Sequence, residues 1–246
     1  MMRLLTTDQP PWETVMLLNR RDMLKGAAVL TTGSVAMFTG ADPASAVSHP
    51  TLRSGSHGSQ VVALQRRLAS LGYWLGSADG QFGDLTRQSV MAIQKVARLS
   101  RDGVCGPATW AKVDAGTRPS AHSRSGHVVE VNKATQTLLV VDSGRVNRIY
   151  NTSTGSGQRY VQGGKTHIAV TPSGSFHVYR RVNGWDDGPL GALYRPQYFN
   201  GGIAVHGLAS VPAYPASHGC ARVSLPAMNN LWAAGGMQVG TSVLVY

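Results

Sequence analysis

The sequence predicts a small all-α domain of three helices followed by a mostly β, mixed-sheet domain, and three observations carry that expectation. First, an eight-residue pattern occurs twice, flanked by apolar stripes at helical spacing. Second, from His127 the texture changes to short β-branched runs separated by glycine turns. Third, the stretch between them is polar, small and aperiodic. With 246 residues, 42% of them hydrophobic, the chain is long enough for two modest cores and has the composition of a globular protein.

Residues 1–46 read as an export signal rather than fold. Asn19-Arg20-Arg21-Asp22-Met23-Leu24-Lys25 precedes an apolar run from Gly26 to Phe38, and Ala44-Ser45-Ala46 supplies a small-residue cleavage site. The twin arginine pair points to the route that exports folded proteins. The run is short of the roughly 20 residues that cross a bilayer, so cleavage is the expectation and a retained anchor the competitor.

Residues 52–115 form the helical domain. Val61, Leu64, Leu68 and Leu71 make one stripe, ended by Gly72. Asp79-Gly80-Gln81-Phe82-Gly83-Asp84-Leu85-Thr86 returns 23 positions later as Asp102-Gly103-Val104-Cys105-Gly106-Pro107-Ala108-Thr109. Asp-Gly is a tight-turn signal, and Asp84 or Pro107 suits a helix start, so each copy is expected to launch a helix. Val90, Ile93 and Ala97 give the second stripe. Residues 116–126 are a linker. Residues 127–246 form the β domain: Val128, Val129 and Val131, then 137–141 ended by Asp142-Ser143-Gly144, two runs around Pro172-Ser173-Gly174, and a last strand over 241–246. Residues 225–234 look helical, and Gly184-Trp185-Asp186-Asp187-Gly188 reads as a turn.

The net charge is +11. Residues 1–46 carry four basic and four acidic residues, so their removal leaves it unchanged. Such a surface attracts polyanions, which for an exported protein are anionic cell-wall polymers and lipid headgroups. The basic residues are scattered singly apart from Arg66-Arg67 and Arg180-Arg181, which argues against nucleic acid.

The chemistry concentrates near the C-terminus. Gly201-Gly202-Ile203-Ala204-Val205-His206-Gly207 is followed ten residues later by Ser217-His218-Gly219-Cys220-Ala221-Arg222. A free thiol is only a few per cent ionised at neutral pH, so a nucleophilic cysteine needs an imidazole or positive field. Cys220 has His206 and His218 as candidates. Cys105, within a turn, is expected to act as a small buried hydrophobe, and a Cys105–Cys220 bridge would consume the nucleophile.

Thr171-Pro172-x-Gly174, Tyr198-Phe199-x-Gly201-Gly202-Ile203-Ala204-Val205-His206-Gly207 and Ser217-His218-Gly219-Cys220-x-Arg222 together resemble the YkuD-type L,D-transpeptidases across residues 127–246. Leu52-x-x-Gly55, Gly58-x-x-Val61-x-x-Leu64-Gln65, Leu71-Gly72-Tyr73, Asp79-Gly80, Phe82-Gly83, Thr86, Asp102-Gly103-x-x-Gly106 and Thr109-Trp110 resemble the peptidoglycan-binding type 1 module. The resemblance implies that Cys220 attacks the third-residue carbonyl of a tetrapeptide stem, releases the terminal D-alanine and passes the acyl group to a neighbouring stem as a three-to-three cross-link. It implies His206 as general base, the Gly207 carbonyl as its orienter and His218 as a shaper of the site. The amides of Gly219 and Cys220 become the oxyanion donors, Ser217 an orienting residue and Arg222 a carboxylate binder. No cofactor or metal is implied, and carbapenem-type β-lactams are expected to acylate Cys220. Tyr73, Trp74, Phe82 and Trp110 are candidates for stacking on glycan, with the helical core the stronger reading for the individual aromatics. An L,D-carboxypeptidase, a zinc hydrolase ligated by His206, His218 and Cys220, and a noncatalytic wall-binding protein remain alternatives.

Overall fold

The structure, a computed structural model, describes residues 49–233 and 235–246, which belong to one compact unit. The expected export signal lies outside the described residues. No helix among them is long and apolar enough to cross a membrane.

Helices α1 (Ser59–Ser70), α2 (Asp84–Val96) and α3 (Pro107–Asp114) come first. Both repeat copies end their turn at the residue that begins a helix, and each turn is fastened by a glutamine from the preceding helix. Gln65 on α1 donates to Asp79 Oδ1, the Gln81 carbonyl and Thr86 Oγ1, and accepts from the Gly80 N–H. Gln94 on α2 makes the same four bonds to Asp102, Val104, Thr109 and Gly103. Gly80 and Gly103 adopt φ of 77° and 73°, the left-handed region that the turn demands. The repeat is therefore a structural unit of glutamine, turn and helix start.

The β domain runs β1 (His127–Asn132), β2 (Thr137–Asp142), β3 (Arg145–Asn151), β4 (Arg159–Gln162), β5 (Lys165–Ile168), β6 (Gly174–His177), β7 (Arg180–Arg181), β8 (Trp185–Gly188), β9 (Gly191–Asn200), β10 (Ile203–Leu208), β11 (Ala221–Ser224), α4 (Leu225–Ala233) and β12 (Ser242–Val245). One sheet has the order β3-β2-β1-β12-β6. A second has the order β11-β10-β9-β7 with β8 also on β9, and β4-β5 is a separate hairpin. The β1–β12 and β10–β11 pairs are parallel and the others antiparallel, a mixed arrangement.

Strand β2 explains how the halves join. Its side chains alternate, so Leu138 and Val140 enter the core between the sheets with Val205, Val223, Met228 and Leu231. Leu139 and Val141 point the other way, into the core of the helical domain beside Leu64, Leu68, Ile93 and Trp110. Apolar residues without alternation mark a strand covered on both faces. Main-chain bonds add to this seam: the Gly72 carbonyl accepts from Ile149 N–H and the Ile149 carbonyl from Trp74 N–H. Residues 116–126, expected as a linker, are pinned as well. Buried Glu130 accepts from the His122 and Ser123 amides and the Ser123 hydroxyl, and the His122 ring stacks on Tyr246 at 3.7 Å.

Three of the four candidate glycan-stacking aromatics are core, which corrects that expectation. Tyr73 is fully buried with its hydroxyl donated to the Thr117 carbonyl, and Phe82 is buried beside it. Trp110 is buried, donates Nε1–H to the Pro50 carbonyl and is covered by His49. Trp74 is half-buried and packs near Tyr150. The physical reason is size: a domain this small needs its large apolar side chains inside. Gly184-Trp185-Asp186-Asp187-Gly188 is not a turn either. It supplies β8, where Asp186 accepts from Tyr198 Oη and pairs with Arg180 at 3.0 Å.

Candidate active site

The parallel register of β10 and β11 pairs Val205 with Ala221, His206 with Arg222 and Gly207 with Val223. Val205, Ala221 and Val223 face the inter-sheet core. Paired residues share a face and neighbours alternate, so His206 and Arg222 emerge together on the opposite face. Cys220 immediately precedes β11, two positions before Arg222. Gly207 leaves space on the core side, since a Cβ there would lie 2.8 Å from the Tyr194 ring and 3.1 Å from Met228.

His206 is buried, and its Nδ1 lies 3.0 Å from the Gly207 carbonyl oxygen. That oxygen can only accept, so Nδ1 carries the hydrogen and Nε2 presents a lone pair. Burial pushes the imidazole pKa down to about 4; the Gly207 bond opposes this and Arg222 adds to it. The ring is thus a neutral base at neutral pH.

The Cys220 sulfur accepts from the Ala204 N–H at 3.5 Å and donates to the Gly202 carbonyl at 3.8 Å. Burial raises the thiol pKa, while the Ala204 bond and the Arg222 charge pull it down. Burial wins, and the resting thiol is neutral. Its loop is built tightly: Ser217 is buried, donates Oγ–H to the Cys220 carbonyl at 2.6 Å and accepts from the Gly219 N–H at 3.0 Å. Thr171 donates Oγ1–H to the Gly219 carbonyl at 2.6 Å and accepts from the Gly155 N–H. Gly219 has φ of 149°, and a Cβ there would stand 3.0 Å from the Val170 carbonyl oxygen. Gly219 is therefore required by geometry, but its amide is spent on Ser217 and is not the free oxyanion donor expected.

Alongside this geometry stand the matches to known proteins. The family model for the YkuD L,D-transpeptidase catalytic domain matches residues 126–245, and that for a peptidoglycan binding domain matches residues 57–113. The chain is similar to the solved residues 123-326 of the L,D-transpeptidase from Xylanimonas cellulosilytica DSM 15894, with 52% identity and a TM-score of 0.77, covering 79% of this chain and 97% of that one. The chain belongs to the L,D-transpeptidase family. It is also 48% identical over 60 residues to an N-acetylmuramoyl-L-alanine amidase of Bacillus licheniformis, covering 24% of this chain and 17% of that protein. A second such amidase, from Mycobacterium tuberculosis, is 43% identical over 53 residues, covering 22% and 13%. The chain spans less than a fifth of the length of these two curated relatives.

Within this L,D-transpeptidase fold the remaining expected residues divide. Arg222 is half-buried and gives one guanidinium nitrogen to the Ala216 carbonyl at 2.9 Å, so part of its fork is a brace for the loop. His218 is exposed and sits edge-on to Tyr160 at 4.7 Å between ring centroids. Tyr160 sits on the β4–β5 hairpin and also stacks on His167. No three His, Cys, Asp or Glu side chains gather as a metal site among the described residues, which leaves the zinc reading of His206, His218 and Cys220 without a ligand set. The roles of Tyr160 and Thr171 were missed by sequence reasoning. Gly163-Gly164, both at positive φ, is the hairpin signal that would have located Tyr160.

Proposed function

We propose that the chain is an exported peptidoglycan L,D-transpeptidase that forms three-to-three cross-links through a thioester on Cys220. The observation that carries this reading is a neutral thiol bonded by the Ala204 amide of β10, the strand that also carries a buried imidazole whose tautomer leaves Nε2 basic. In the first step Cys220 Sγ bonds to the stem carbonyl while its proton passes to His206 Nε2. The tetrahedral oxyanion collapses, the C–N bond breaks, and His206 returns the proton to the departing D-alanine amine. In the second step an acceptor amine attacks the thioester, a new amide forms and the thiol is restored. No redox equivalent or external energy source enters, because the energy of the cleaved amide is conserved in the thioester.

With the Gly219 amide engaged, the Cys220 amide is the oxyanion donor of this mechanism. Ser217 holds the turn that aims it, and the unengaged part of the Arg222 fork receives a stem carboxylate. Residues 52–115 act as a three-helix wall-binding domain, 116–126 as the connection and 127–246 as the catalytic domain. Binding to stem or glycan falls to polar surface, given the burial of Tyr73, Phe82 and Trp110. Residues 1–46 direct twin-arginine export to the cell wall, where the positive charge favours anionic polymers.

The test is the intact mass of the mature protein after incubation with a carbapenem, beside Cys220→Ala and Cys105→Ala variants. Acylation of the wild type and Cys105→Ala, with none on Cys220→Ala, is the expected result. An unmodified wild type, or an adduct that survives Cys220→Ala, would sink the thioester reading.

A further inference from the structure

Helix α2 belongs to the domain read as a wall anchor, yet its polar side chains end on the segments that carry the catalytic loop. Lys95 is fully buried, and its Nζ donates to the Gln136 carbonyl at 3.1 Å, the Thr152 carbonyl at 2.9 Å and Asn151 Oδ1. Gln88, two turns earlier on the same face of the helix, accepts from Asn151 Nδ2 and donates to the Val211 carbonyl at 3.3 Å. Just beyond the helix, Arg101 reaches the Ala213 carbonyl.

Residues 152–154 are what these contacts hold. Thr152 Oγ1 donates to the Arg222 carbonyl at 2.7 Å, and Ser153 exchanges two main-chain bonds with Arg222 at 3.0 and 3.2 Å. Ser153 Oγ donates to the Tyr214 carbonyl, and the Thr154 carbonyl accepts from the Ala216 and Ser217 amides. From behind, Gln136 exchanges side-chain bonds with Thr154 and takes the Thr152 amide on its own carbonyl. Gln136 is buried at φ of 54°, a left-handed conformation that a non-glycine residue keeps only where its surroundings enforce it. Lys95 supplies part of that enforcement by binding the Gln136 carbonyl. Two steps of hydrogen bonding, through Thr152, thus separate a lysine of the helical domain from Arg222, and three, through Gln136 and Thr154, separate it from Ser217.

An apolar residue would have sufficed to dock the two halves, since the seam already buries Leu139, Val141 and Ile149. Burying an ammonium is unfavourable, and here burial, with Arg101 adding, lowers its pKa to about 7. What the lysine gives in return is direction: three N–H groups fix three acceptors in one arrangement.

We infer that Lys95, with Gln88, is a positioning residue of the transpeptidase reaction, so that helix α2 sets the geometry of the Cys220 loop in addition to any role in holding the wall. This rests on the reading of Cys220 as the nucleophile. It is tested with the full mature chain carrying Lys95→Met and, separately, Gln88→Met, a milder change that keeps the stem length. Carbapenem acylation is followed at increasing inhibitor concentration to separate the first-order acylation step from the saturation constant. Sedimentation with purified wall and thermal melting are measured on the same samples.

The expected result is a fall of roughly tenfold to a hundredfold in the first-order step for Lys95→Met, the range a small misplacement of reacting groups produces. Gln88→Met falls severalfold, while the saturation constant and wall sedimentation stay at wild-type values. A role confined to stability would lower the melting temperature without moving acylation at a temperature well below it. Wild-type acylation in a folded Lys95→Met overturns the proposal, and if that variant does not fold, wild-type acylation in Gln88→Met does. An unreactive wild-type protein would instead overturn the nucleophile reading on which this one rests.

Discussion

The chain holds two cysteines in turns beside glycine, and they differ in what surrounds the sulfur. Cys105 is fully buried, pairs its main chain with Leu52, and has its thiol pushed up to about 12 by burial and by the nearby Asp114 charge. Cys220 is also pushed up by burial, yet it meets the Ala204 amide and the Arg222 charge, both of which favour a thiolate. The difference teaches that a raised resting pKa does not by itself distinguish the thiol proposed as nucleophile from the one proposed as inert. What separates them is a set of donors and a base arranged to act as charge develops.

The largest expected effect comes from deleting the base. His206→Ala should slow Cys220 acylation by about 10²–10⁴-fold, the usual span for a positioned general base, and leave Cys105 as unreactive as before. Next comes Gly219→Ala. Its φ of 149° and the Val170 carbonyl 3.0 Å from the added Cβ force the nucleophile turn to move, and a displacement near 1 Å costs roughly a hundredfold in rate. Stopped-flow acylation checks both, and a Gly219→Ala enzyme of wild-type rate would show that the turn tolerates a side chain. A pH profile sharpens the comparison further. Because His206 is held down to about 4, it stays a neutral base through pH 5 to 7, and acylation should lose its base only as pH falls toward 4. An acid limb centred near 6.5, the ordinary histidine value, would mean that burial does not control the ring.

Much of this was legible in the sequence. The two Asp-Gly-x-x-Gly-x-x-Thr copies located the starts of α2 and α3, and the order of His206, Ser217, Gly219 and Cys220 located the turn beside β10 and β11. Other features depend on contacts across more than 40 positions, which no local pattern encodes. Lys95 reads as an ordinary helix-surface lysine until Gln136 and Thr152 meet it. The aromatics of the helical domain look alike on paper, and only packing separates buried Tyr73, Phe82 and Trp110 from half-buried Trp74. The resting ionisation of the site was also beyond the sequence. The neighbouring positive charge lowers the thiol pKa as expected of it, but burial, a property of the folded chain, is the larger cause. One signal was present and unused: the apolar run in β2 lacks alternation, which marks a strand covered on both faces.

The smallest expected effect concerns Cys105, and it tests whether the inert thiol contributes only as a buried neutral group. In the folded protein it keeps its proton to about 12, whereas an unfolded thiol loses it near 8.5. Above about pH 8.5 the unfolded state therefore binds fewer protons than the folded one, and stability falls as pH rises until the folded thiol titrates as well. Cys105→Ala lacks this dependence. Buried Tyr73 and Tyr150, also raised by burial, bend both curves equally. At neutral pH the variant should be less stable by about 1 kcal/mol for the lost sulfur contacts. By pH 10.5, two units above the unfolded value, the wild type should have lost about 2.7 kcal/mol more than the variant, at 1.36 kcal/mol per unit, so that the order of stability reverses. Urea unfolding at pH 7 and pH 10.5 measures both differences, and parallel losses in the two proteins would mean that the Cys105 thiol ionises in the folded state as readily as in the unfolded one.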